Sequence, residues 1–84
     1  MLTSDAVQVM VTVMAPYIGD TLARSAAEAH CRKLEVLGGT IGPDQIELVL
    51  GKLLAGLNIF LGRERSAAVV ADVRRALQTA RGLP

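Results

Sequence analysis

The chain has no tryptophan, one cysteine, one histidine and only two aromatic residues, Tyr17 and Phe60. With so few rings it offers no base-stacking platform, no aromatic cage and no carbohydrate-binding face. The lone Cys31 cannot close an intramolecular disulfide, and Met1 to Asp5 lack the basic stretch and apolar run of a secretion signal, so a cytoplasmic protein is expected. Net charge is also scarce: +1 overall excludes a strong acidic or basic field. Long hydrophobic runs are missing as well. The most apolar stretch, residues 46–61, is interrupted by Glu47, Lys52 and Asn58 and falls short of the roughly 20 residues a membrane-spanning helix needs. No internal repeat, low-complexity segment or long linker is recognisable in the order of residues.

What the sequence does have is aliphatic bulk. Of its 84 residues 51% are hydrophobic and 20% charged, and a single domain this short, 1–84, hides a smaller share of its surface than a larger one. More apolar material is present than a monomer of this size is expected to bury, and association with a second copy is the usual remedy. The expected fold is therefore all-α, a small bundle of three or four helices completed by homodimerisation, with a dimer favoured.

The clearest helix starts at Gly42-Pro43-Asp44, where proline suits the first turn and Asp44 and Glu47 complement the helix dipole. It should run to about Leu61, with Ile46, Val49, Leu50, Leu53, Leu57, Phe60 and Leu61 along one inward stripe. Leu48, Leu54 and Ile59 add apolar bulk outside that stripe and are the candidate interface residues. Gly51, Ala55, Asn58 and Gly62, with Gly56 beside them, leave a strip of little side chain that invites close packing of another helix.

Upstream, residues 16–37 read as a long helix, with Asp20, Arg24, Glu28 and Arg32 alternating in charge at steps of four on a solvated face. Gly38-Gly39 should stop it, and the short connection to Pro43 should make an antiparallel helical pair. A last helix is expected over 66–79, capped by Ser66, with Val69, Val70, Val73 and Leu77 inward and a frayed tail from Arg81. Residues 6–14 are ambiguous. Their alternating valines fit a strand, which would have to pair across a dimer, but a helix following a Thr3-Ser4-Asp5 cap is favoured. Pro16 should kink this helix or separate it from the next.

Candidate chemistry is thin. His30 and Cys31 are adjacent, so on a helix they point about 100° apart and cannot share one ion, and Cys31 has no second histidine and no third group placed to orient a base. Asp20, Glu28 and Glu35 each have a basic neighbour that keeps them ionised, the opposite of what a general acid needs. The Gly39-to-Pro43 turn lacks the Gly-Lys-Ser/Thr of a phosphate-binding loop. Neither a cofactor nor a metal is expected, and no enzymatic role. Charge is nevertheless lopsided: residues 63–84 carry five arginines against two acids, and residues 1–62 four basic residues against six acids. Arg63, Arg65, Arg74 and Arg75 could form a surface for phosphate, although Glu64 lies between the first two and Asp72 can pair with Arg75. A helix-turn-helix reader is unconvincing, because the last helix offers few base-reading groups. The leading expectation is a non-enzymatic oligomerisation and protein–protein interaction module with a protein partner. The alternative is a small nucleic-acid-associated or regulatory protein using the arginine surface.

Overall fold

In residues 1–14 the 3.6-residue period prevails over the alternating one. Ala6, Val7, Met10, Val11 and Met14 recur at steps of one, three and four, and all are buried on one side of a helix. The computed structural model, which describes residues 1–82, contains four α-helices: α1 Thr3–Ile18, α2 Asp20–Lys33, α3 Pro43–Leu61 and α4 Arg63–Ala80. The architecture is a small all-α bundle in which α1 packs on α2 and α4, and α3 packs on α4 and more loosely on α2. Among the described residues the only β-type pairing is an isolated antiparallel bridge between Leu2 and Thr40.

The helix breaks depart from expectation. The first falls at Gly19, not at Pro16, because Gly19 has φ 86° and ψ 156°, a region essentially confined to glycine. Pro16 is tolerated in the last turn of α1, where its missing N–H leaves only the carbonyl of the exposed Thr12 without a helical bond. The second helix also ends earlier than Leu37. Glu35 takes the left-handed conformation, φ 59°, its N–H bonds the Arg32 carbonyl, and the Val36 N–H bonds the Cys31 carbonyl. That is the Schellman arrangement, with glutamate in the position glycine usually holds, and it turns Val36 into the core.

Ser66 does not cap α4. The helix begins at Arg63, with Gly62 (φ 79°, ψ 168°) closing α3 and opening α4 at once. Ser66 instead lies buried inside the first turn, its hydroxyl hydrogen-bonded to the Asn58 side chain and the Gly62 carbonyl. Thr3 likewise is no cap. Its buried hydroxyl donates to the Val36 carbonyl at 2.7 Å, its N–H to the Gly39 carbonyl at 3.0 Å, and the Ile41 N–H to the Met1 carbonyl at 2.9 Å. These bonds fasten the first residues to the α2–α3 connection.

The two glycine hinges expose a repeat that the residue identities conceal. Gly62 lies 43 positions after Gly19 (62 less 19). At the same offset the buried Ala6, Val7, Met10 and Met14 of α1 correspond to the buried Val49, Leu50, Leu53 and Leu57 of α3. Tyr17 and Phe60, both exposed, correspond as well, and so do the fully buried Ala23 and Ser66. The bundle is thus two helical hairpins, α1–α2 and α3–α4, each bent about one glycine.

Candidate interaction surfaces

The repeat supplies an internal control for reading the surface. The outward stripe of α1 is Asp5, Gln8, Thr12 and Pro16, all exposed, with Gln8 bonded to Thr12 and to the Arg24 guanidinium. At the equivalent positions α3 carries Leu48, Gly51, Ala55 and Ile59. Leu48 is 55% and Ile59 84% exposed. Eleven residues apart, they lie within about 20° of each other around the helix, with the two small residues between. Two of the three candidate interface residues therefore share one stripe. Leu54 does not: it is half-buried, turned toward α4 and packed against the core.

Among the described residues no helix packs closely on Gly51 or Gly56 of the small-residue strip. A Cβ added to Gly51 or Gly56 would meet no atom within 4 Å beyond its own helix backbone, Gly51 lying on the Leu48–Ile59 stripe and Gly56 at the edge facing α2. Asn58 leaves the strip to bond Ser66, and Gly62 serves as the hinge. Phe60, expected inward, is 63% exposed. It sits one position before Leu61 at the end of α3, and its ring borders a groove between α2 and α3 that also contains Leu22, His30 and Lys52.

His30 and Cys31 face apart, as their adjacency requires. Cys31 is buried in the core, where desolvation and the nearby Glu28 push its thiol pKa up and keep it protonated. His30 faces the α2–α3 groove. Burial, then Lys33 and Lys52, depress its pKa and favour the neutral ring. Among the described residues no cluster of three or more histidine, cysteine or acidic side chains is placed to hold a metal.

The arginines do not converge. Arg74 makes a bidentate ion pair with Glu47 of α3, at 2.9 and 3.1 Å, and Arg75 pairs with Asp72 at 2.9 Å. Arg63 and Arg65 are exposed in the first turn of α4, roughly 16 Å away along the helix at about 1.5 Å per residue. Sequence reasoning anticipated the Asp72 pair but not the Glu47 contact, which joins helices 27 residues apart in the chain. Among the described residues no helix is long and apolar enough to cross a membrane. No family model, no curated protein and no solved structure matches the chain.

Proposed function

We propose that the chain is a non-enzymatic interaction module that pairs with a second copy of itself across the outward stripe of α3, and presents the paired surface to a protein partner in the cytoplasm. The supporting observation is the contrast between equivalent faces. Where α1 turns aspartate, glutamine, threonine and proline to water, α3 turns Leu48, Gly51, Ala55 and Ile59. A solvated helix has no use for a leucine and an isoleucine flanking a glycine and an alanine. A helix crossing another has, because the small pair lets two backbones approach and the large pair packs beside them. A two-fold axis over Gly51 and Ala55 would bury each residue twice. The buried, protonated thiol of Cys31 suits a reducing compartment.

Sedimentation from low micromolar to near-millimolar concentration tests this. Expected is a monomer–dimer equilibrium abolished by Ile59→Glu, with helix content by circular dichroism unchanged because the site is exposed. A monomer at every concentration, or an assembly indifferent to Ile59→Glu and Leu48→Glu, refutes the reading.

A further inference from the structure

The two halves of the bundle close unequally. On α4, Val69, Val73 and Leu77, at seven, eleven and fifteen residues after the hinge glycine, are all buried. The equivalent residues of α2 are Ala26, His30 and Leu34, and all three are only half-buried. They face α3 across a seam that is looser than its counterpart between α1 and α4. Two depressions lie along it. One, of about 90 Å³, is formed by His30, Lys33, Leu34, Leu48, Val49 and Lys52. The other, of about 70 Å³, has Leu22, Ala26 and Phe60 around a floor of Leu53 and Leu57. His30 and Lys52 border both.

Along either helix the centres of the depressions are about six residues apart, or roughly 9 Å. That is within about 2 Å of the spacing of side chains seven residues, or two turns, apart on an incoming helix. The charge of the groove is of one sign. Its only charged side chains are Lys33 and Lys52, no carboxylate borders it, and among the described residues neither lysine has an ion-pair partner. An apolar trough with paired depressions and unneutralised ammonium groups complements an apolar helix edge bearing acid.

We propose that the α2–α3 groove is the seat of an acidic amphipathic helix from a protein partner, with two leucine-sized side chains about two turns apart in the depressions and a carboxylate between them at Lys52. This specifies the partner of the interaction module, but it does not require self-association, since most of the groove lies off the Leu48–Ile59 stripe.

The test is a titration of the isotope-labelled full chain with a capped alanine-based helical peptide carrying leucine at positions i and i+7 and glutamate at i+3 and i+4. A second peptide has lysine in place of both glutamates. The glutamate peptide is expected to shift amide resonances at His30, Leu34, Lys52 and Gly56, and to bind on the order of tenfold more tightly than the lysine peptide. Lys52→Glu should reverse that preference. Gly56→Met, which has open space for its side chain, should fill the second depression and abolish binding while the fold is kept. Repeating the titration in Ile59→Glu separates this groove from the self-association stripe: binding should persist there. Equal binding of the two peptides, shifts confined to α1 or α4, or no shift at millimolar peptide overturns the proposal.

Discussion

Thr3→Val tests whether a single buried hydroxyl ties the first turn of α1 to the α2–α3 connection. The substitution keeps the β-branched shape and exchanges the hydroxyl for a methyl, so it opens no cavity at this fully buried position. What is lost is the 2.7 Å bond to the Val36 carbonyl. That carbonyl is not orphaned, because the Gly39 N–H also donates to it at 3.1 Å. The cost is therefore the net worth of one neutral hydrogen bond, about 1 kcal/mol, without the larger penalty of an unpaired buried group. For a domain of this size that is a fall in Tm of roughly 4–8 °C. Thermal and urea unfolding followed by circular dichroism would measure it, with Thr12→Val as the control. Thr12 is exposed and bonds only within its own helix, so its change should stay within about 0.5 kcal/mol. If Thr3→Val is neutral while Thr3→Ser destabilises, methyl packing holds the segment and the hydrogen-bond reasoning is wrong.

Gly62→Ala should cost about 1–3 kcal/mol in urea denaturation through backbone strain alone, since its added Cβ meets no atom within 4 Å. Gly19→Ala should behave alike. A double-mutant cycle on Glu47 and Arg74 should yield under about 1 kcal/mol despite bidentate geometry, because both side chains are largely in water. The hydrogen bond from Arg74 holds the Glu47 carboxyl below its ordinary range. The pair's contribution is accordingly complete above the unfolded-state value and is lost as pH falls through the lower folded-state one, a slope that Glu47→Gln should remove. Of the four candidate arginines, only Arg63 and Arg65 have no ion pair among the described residues, which sets the expectation for an electrophoretic shift assay with duplex DNA. The log–log salt slope should be no steeper than about 2 per protomer, and a steeper one that disappears in Arg74→Ala would favour the nucleic-acid reading.

Some of this was legible in the order of residues, for reasons that differ by element. The bounds of α3 follow from local chemistry alone, Pro43 at the first turn and Gly62 past the last. The inward stripe of α4 is equally local, since Val69, Val70, Val73 and Leu77 keep helical spacing. The break at Gly19 was masked by Pro16, the louder signal three residues earlier. Ser66 is so good a cap that it drew the start of α4 away from a glycine able to serve two helices. The stop at Glu35 depends on a left-handed glutamate, which residue type disfavours and tertiary packing of Val36 permits. The repeat was hidden because burial, not identity, carries it: alanine, valine and methionine in α1 stand where valine and leucine stand in α3. The outward stripe was found only in part. Leu48 and Ile59 were named as apolar bulk outside the inward stripe, but the contrast of Leu48 with Asp5, and of Gly51 and Ala55 with Gln8 and Thr12, exists only once the two hairpins are aligned at their hinge glycines.

The unequal seams also bear on stability. If the α2–α3 groove were an accident of loose packing, closing it should improve the protein at no cost to function. Ala26→Val with His30→Val copies onto α2 the residues that α4 uses at Val69 and Val73. Ala26→Val would add two carbons to the open space beside Leu53 and Leu57, and His30→Val would exchange the larger imidazole, whose Nδ1 is buried without a partner among the described residues, for a smaller apolar side chain. At about 0.8 kcal/mol per buried methylene, the two carbons added at position 26, discounted for partial burial, and the relief of the unpaired ring nitrogen at position 30 should together stabilise the fold by about 1–2 kcal/mol in urea denaturation. The same variant should no longer bind the glutamate peptide. A gain in stability together with lost binding would mean that the chain keeps a small residue and a polar ring where a better core is available, as binding sites do. Destabilisation would mean that the seam cannot accommodate a larger residue at position 26 or close over the space left at position 30, and that α2 is held off α3 by the Glu35 turn and not by the residues it presents.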